Sequence, residues 1–196
     1  PGLMRNMREN IKSVAIGLFF EKGYFATSMS DIAQGSGIQK ASIYYHYPSK
    51  EDLLFHILET TMDELTAHLR DNIEDVEDIV DRMRGAVRGH VQFHLEHQKE
   101  TFIANSELRG LTGEHYGVIV AKRDGYEKIF QDLIQEGRNC GVFQVTDVKI
   151  LSYAILTLCT AGASWFKPSG RLSVDAIAAI YEEFILSGLQ HKGRAG

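Results

Sequence analysis

Proline is scarce in these 196 residues: it occurs only at positions 1, 48 and 168, so nearly the whole interior is open to long helices. Cysteine is equally sparse. Cys140 and Cys159 lack any metal-type spacing and are too few for a disulfide framework, and nothing at the start resembles a secretory leader, so a reducing cytoplasm is the expected location. Several catalytic signatures are missing: there is no Gly-x-Ser-x-Gly elbow, no His-Glu-x-x-His, no Gly-rich phosphate loop after a strand and no paired-cysteine motif. An enzyme is therefore not expected, and no cofactor is required. The longest apolar stretch, near residues 154–166, contains Thr157, Thr160 and Ser164 and is read as too short to cross a bilayer, so no membrane partner is expected. A composition of 44% hydrophobic and 24% charged residues is ordinary for a globular protein and does not suggest disorder. What remains is an all-α protein of about nine helices.

Residues 27–54, TSMSDIAQGSGIQKASIYYHYPSKEDLL, carry the densest information. Two short helical patterns flank a Gly-containing turn and run into a third, longer helix, the wiring of a helix-turn-helix reader of DNA. Thr27 or Ser28 caps the first, and Ser28 followed three residues later by Asp31 reads as a variant capping box. Ile32 and Ala33 face inward, the turn Gly35-Ser36-Gly37 tolerates positive φ, and Ile38 plugs the crossing. A second helix is predicted over residues 39–47, with Ile43 inward and Gln39, Lys40, Ser42, Tyr44, Tyr45 and His46 outward. That surface of donors and flat rings suits base edges and phosphates. Gln39, Lys40 and Tyr45 are expected near bases; Thr27, Ser28, Ser42, Tyr44, His46 and Lys50 are expected at the backbone. Pro48 stops the helix, and Ser49 caps the next one with Asp52 in the capping-box position.

Charge is distributed to match. Residues 1–50 hold six Lys or Arg against three acids, a balance of +3, whereas the rest of the chain carries −8 within a total of −5. A small basic end beside an acidic body is what a protein needs to lay one domain on phosphates and keep the remainder clear.

The same segment resembles the DNA-binding domain of the TetR family of one-component transcriptional regulators. The resemblance rests on Gly23-Tyr24, Thr27, Asp31-Ile32-Ala33, Gly37-Ile38, Ile43-Tyr44, His46-Tyr47 and Ser49-Lys50-Glu51-Asp52-Leu53. It implies a reader over residues 1–50 and a helical effector-binding and dimerisation domain over residues 51–196. Where many members carry Ser-Lys-Gly at the start of the recognition helix, this chain has Gln39-Lys40-Ala41, so no operator sequence transfers.

Further helices are expected over residues 5–22, from 49 toward 69, from 74 through 97, over 99–111 and 114–138, and from 146 and 173 onward. Residues 150–166 are apolar on almost every side, which demands cover from outside the domain as well as within. A second copy supplies it, giving a homodimer through the last two helices, as the family resemblance also implies. Two readers about 34 to 36 Å apart, or a multiple, recognise a palindrome-like operator.

On the helix expected from residue 74, Val76, Val80, Met83, Val87, His90, His94 and His97 repeat at steps of four and three, so the inward stripe turns from aliphatic to imidazole. Such polar groups need partners, which a small lipophilic effector or water provides. The alternative is a metal-responsive regulator using His90, His94 and His97. The candidate effector residues are Met83, Val87, His90, Phe93, His94, Phe102, Asn105, Arg109, Tyr116, Tyr126, Phe130 and Trp165. Asn105 through Arg109, Leu111-Thr112 and Trp165-Phe166-Lys167-Pro168 with Gly170 resemble the acyl-CoA-responsive members of the family. That resemblance implies an acyl chain among Met83, Phe93, Phe102 and Phe130 and phosphates at Arg109, Lys122 or Arg123; an aromatic or other lipophilic effector is the alternative. A helical enzyme or adaptor leaves the reader helix unexplained.

Overall fold

The computed structural model describes residues 2–190, and side chains from residue 6 onward. Among these residues are nine α-helices and no strand: α1 Gly2–Lys22, α2 Met29–Gly35, α3 Lys40–Ile43, α4 Lys50–Ile73, α5 Ile79–Glu96, α6 Gln98–Ser106, α7 Gly113–Asn139, α8 Val148–Trp165 and α9 Val174–Gln190, with a 3-10 turn at Leu108–Gly110 between α6 and α7. Two compact units result. One joins the chain up to Met62 with Lys99–Ala121; the other joins Asp63–Gln98 with the chain from Lys122.

The first unit is built on a core of Ile11, Ala15 and Phe19 from α1, Ile32 and Ala33 from α2, Ile43 from α3, and Leu53, Leu54, Ile57 and Leu58 from α4, each at most 2% exposed. Ile103, Ala104, Leu111 and Ile119 join the same core, so the α6–α7 segment is part of this unit. Gly110 makes that possible: a Cβ there would lie 2.7 Å from both the Tyr24 ring and Leu54. The local signals act as expected. Ser28 accepts from the Asp31 N–H at 3.1 Å while Asp31 accepts from the Ser28 N–H at 2.8 Å, a complete capping box. Gly37 takes φ +70° in the turn. Ser49 and Asp52 form the cap of α4 through the Asp52 N–H at 3.0 Å and the Ser49 hydroxyl at 2.6 Å.

Two boundaries differ from expectation. The regular part of α3 is only four residues long. The chain over 44–46 continues as a turn, with Tyr45 N–H donating to Ser42 and His46 N–H to Ile43, the tighter three-residue pattern that ends a helix before Pro48. Helix α5 starts at Ile79, because Asp78 accepts from the Val80 and Asp81 N–H groups at 2.9 and 3.0 Å. Val76 therefore lies outside it and Ile79 is buried in its place. Helix α8 begins where the sequence places it, capped by Asp147 at 2.9 Å from the Ile150 N–H. Its 18 residues have a mean hydropathy of 1.3, enough by length and composition to cross a membrane, which corrects the expectation of too short a stretch.

In the second unit α5 packs on both α8 and α9. Met83, Ala86, Val87 and Val91 of α5, Phe130 and Ile134 of α7, and Cys159 and Ala178 are fully buried there.

Candidate DNA-reading and effector sites

In the first unit, Gln39, Lys40 and Tyr45 stand clear of the core, Tyr45 with 87% of its surface exposed, and Tyr44 is also exposed. Ile43 is the anchor that turns them outward, since it alone on α3 is buried. A hollow of about 360 Å³ opens beside them, bounded by Phe25, Thr27, Ser28, Lys40, Tyr44 and Lys50. Ser42 and His46 are half-buried.

Two side chains expected at the DNA backbone make bonds within the protein. Thr27 is buried, and its hydroxyl donates to the Gly23 carbonyl at 2.9 Å. Lys50 turns inward as well: Nζ donates to the Tyr24 and Thr27 carbonyls at 2.9 and 2.8 Å and lies 4.3 Å from the Tyr24 ring centre. Partial burial lowers its pKa. Lys50 is thus a clasp that ties the first turn of α4 to the loop entering α2. Asp31, held by the Ser28 backbone and hydroxyl, has its pKa lowered and stays an anionic cap.

The second unit holds a buried polar cluster. His90 stacks on His94 with ring centres 4.1 Å apart; its Nδ1 is 2.8 Å from the Tyr126 hydroxyl and its Nε2 3.0 Å from that of Thr160. Burial holds the His90 pKa well below the ordinary imidazole value and that of His94 to about 4, so both rings are neutral at physiological pH. The Tyr126 pKa is driven well up by burial and that of Cys159 to about 12, which leaves the thiol inert. Met83, Val87, Phe93 and Phe130 are the apolar members of this surrounding, all buried. Thr160 was not anticipated: one hydroxyl in an apolar helix gave no periodic signal.

The metal alternative is not favoured. Both nitrogens of His90 have hydroxyl partners, and the Nδ1 atoms of His94 and His97 donate to the His90 and Phe93 carbonyls at 2.9 and 3.1 Å. Among the described residues no group of three or more His, Cys, Asp or Glu converges.

Other expected effector residues lie elsewhere. Phe102 is exposed on α6 and meets Phe20 edge-on at 5.2 Å, and Asn105 and Tyr116 are exposed. Arg109 covers the Phe25 ring at 5.4 Å. All four belong to the first unit, where the α6–α7 segment packs with the reader core. Lys122, expected at phosphates, bonds Asp63 at 2.6 Å. Trp165 lines a hollow of about 340 Å³ with Lys167, Arg171, Leu172, Ile177 and Tyr181. A sequence signal for one further pair went unused: Glu182 falls on the inward stripe of α9 with Ala178, Ile185 and Leu189, and a carboxylate on such a stripe calls for a buried cationic partner.

Along the outside of α8 and α9, Leu151, Ala154, Leu158, Ile180 and Phe184 line an apolar groove of about 1080 Å³. Ile150, Leu158, Trp165, Ile180 and Phe184 are exposed on these helices, Phe184 to 69%.

Residues 11–57 match the bacterial regulatory proteins of the tetR family, and residues 76–189 match the tetracyclin repressor-like C-terminal domain. The HTH-type transcriptional repressor KstR2 of Mycobacterium tuberculosis is 25% identical over 194 residues, 98% of this chain and 97% of the relative. The HTH-type transcriptional activator FasR of Mycolicibacterium smegmatis is 30% identical over 187 residues, covering 94% and 83%. The crystal structure of AibR in complex with isovaleryl coenzyme A and operator DNA aligns with a TM-score of 0.83 at 26% identity, over 94% of this chain and 98% of the other. Reader and body thus both match one family, and this chain belongs to the TetR family of bacterial regulatory proteins, DNA-binding transcriptional regulators rather than enzymes.

Proposed function

We propose that the chain is a cytoplasmic repressor that binds a palindrome-like operator as a homodimer and is released by an acyl-CoA thioester. In this reading residues 1–50 read DNA and residues 51–196 bind effector and dimerise. The observation that carries it is the outward set Gln39, Lys40, Tyr44 and Tyr45 over the buried Ile43, since donors and flat rings on the second helix of such a pair suit major-groove edges and phosphates. Ser28, Ser42 and His46 flank that surface. Two readers are joined when the apolar groove along α8 and α9 is covered by the same groove of a second copy, which removes Leu158, Ile180 and Phe184 from water.

For the effector, the reading rests on two features of the second unit and on one neighbour. The buried cluster of Met83, Val87, His90, Phe93, His94, Tyr126 and Phe130 offers an apolar lining with few polar groups, the composition that takes an acyl chain. Residues 148–174 contain Lys149, Lys167 and Arg171 and no acid, a positive stretch in an acidic body. Lys167 and Arg171 share their hollow with Trp165 and Tyr181, so phosphates and a flat base both find partners there. AibR was crystallised with isovaleryl coenzyme A, a thioester of that class. Repression is preferred because KstR2 is a repressor, although FasR is an activator.

Release requires that the effector prefer one arrangement of the protein over another, and coupling is only as large as that preference. Helix α4 runs unbroken from the reader side into the second unit and is the element through which the preference passes. The test is an electrophoretic shift on the DNA upstream of the gene. Long-chain acyl-CoA is expected to abolish the shift where free acid and free CoA act weakly, and Trp165→Ala or Arg171→Ala to raise the thioester concentration needed. A shift insensitive to every thioester rejects the effector; a reporter that falls rather than rises on deleting the gene rejects repression.

A further inference from the structure

Arg109 was expected at an effector and stands instead beside the reader. Its guanidinium lies 5.4 Å over the ring of Phe25, an exposed aromatic at the entrance to α2. The ring of Phe25 in turn borders the hollow shared with Ser28, Lys40 and Tyr44. The only acid near Arg109 among the described ion pairs is Glu107, whose carboxylate is buried and approaches no closer than 4.0 Å, through Nε. The Arg109 side chain is 75% exposed. A planar fork braced on an aromatic face with its other donors open is pre-organised for a planar or tetrahedral anion.

Its backbone is fixed in place too. Gly110 packs on the Tyr24 ring, the Glu51 carboxylate accepts from the Thr112 N–H at 2.9 Å, and Leu111 is buried with the reader core. We propose that Arg109, although 55 residues beyond the end of the helix-turn-helix segment at Leu54, is an additional DNA-phosphate contact at the edge of the reading surface. The ligand is the phosphodiester backbone, and no base is read. The inference rests on the DNA-reading assignment above. Its consequence is that part of the affinity for DNA comes from the α6–α7 junction and not from the reader segment alone.

The test compares full-length wild type, Arg109→Gln and Arg109→Lys on a labelled duplex from the upstream region and on a scrambled duplex of equal length, across a series of salt concentrations. One lost phosphate contact per protomer predicts that Arg109→Gln weakens binding to both duplexes by roughly threefold to tenfold and lowers the salt slope by about 0.9 per protomer. Arg109→Lys keeps the charge and retains the slope. Equal slopes for wild type and Arg109→Gln overturn the inference even if affinity falls, because that pattern means the side chain only supports the Phe25 loop. A thermal melt of Arg109→Gln within about 2 °C of wild type separates lost contact from lost fold. If that variant melts lower, the Arg109→Lys slope decides instead, and a slope reduced there overturns the inference. Failure of the wild type to shift the upstream duplex at all rejects the DNA-reading assignment itself, and the inference falls with it.

Discussion

Arg88 of α5 meets Glu182 of α9 through two edges, Nε to Oε1 at 2.6 Å and a terminal nitrogen to Oε2 at 3.2 Å. Arg84, one turn earlier, approaches the same carboxylate at 3.5 Å, and Gln92, one turn later, donates to Asp175 at 2.7 Å. Steps of four on α5 thus make a polar seam against α9, beside the His90 cluster on the same helix. Glu182 is almost fully buried while its arginines are half-exposed, and the ion pair raises the Arg88 pKa. The seam joins the helix that carries the candidate effector lining to a helix of the proposed dimer face.

Removing Glu182 leaves two cations facing an apolar wall. Glu182→Ala is expected to lower unfolding free energy by about 1–3 kcal/mol, toward the low side because solvent reaches both arginines. Urea melts of Glu182→Ala, Arg88→Ala and the double variant measure the coupling, and additivity of the two single losses contradicts it.

Lys40 and Lys50 are expected to behave differently although both are basic and close in sequence. Lys40→Ala lowers the salt slope of DNA binding by about 0.9 per protomer. Lys50→Ala, which releases the Tyr24 and Thr27 carbonyls, lowers thermal stability and overall affinity with the slope unchanged. Titrations at several salt concentrations tell the two apart; a reduced slope for Lys50→Ala restores it to the phosphates.

Gln39 is exposed at the start of α3 with no side-chain cap bond holding it. Gln39→Ala is expected to relax preference at one or two operator positions, each worth about 1–3 kcal/mol, and to leave random DNA unaffected. Binding to a library of singly substituted operators reads this out, and a uniform loss over all positions counts against base contact.

Charging the α8–α9 groove should separate the protomers. Phe184→Glu and Ile180→Glu are the informative changes, since Ile185, a natural choice from periodicity alone, is turned into its own domain. Sedimentation at micromolar concentration is expected to show dimers for wild type and monomers for Phe184→Glu, with operator binding lost in parallel. A monomeric wild type ends the dimer proposal.

Acid should destabilise the fold through the histidine stack. His94 has its folded pKa lowered from 6.5 to about 4, and His90 shifts the same way. Between those values the unfolded chain binds more protons, so stability is highest above the unfolded pKa and falls as pH drops toward the folded one. For His94 alone the loss reaches about 2 kcal/mol by pH 5. Chemical denaturation at pH 7.5 and pH 5 checks this, with His94→Gln expected to blunt the difference and an equal loss in that variant refuting it.

Much of this was legible in the chain itself because it depends on neighbours in sequence. The capping box at Ser28, the Ser49 cap with Asp52, the stop at Pro48, the positive φ at Gly37 and the outward placement of Gln39, Lys40 and Tyr45 follow from contacts within a few residues or from a period of 3.6. Helix existence was equally local, and the start of α5 was missed only because Asp78 competes as a cap within a run of acids. Tertiary structure decided what the same side chains face. Periodicity tells which residues share a stripe but not what lies opposite, and neither it nor the family resemblance that put Phe102, Asn105, Arg109 and Tyr116 among the effector residues tells that Ile103, Ala104 and Leu111 of that segment pack into the reader core. Lys50 looked like a phosphate ligand by composition and became a clasp because two carbonyls end up within 3 Å of its ammonium. The partners of Glu182 and of His90 lie 94, 70 and 36 residues away in sequence, distances over which no local pattern carries information.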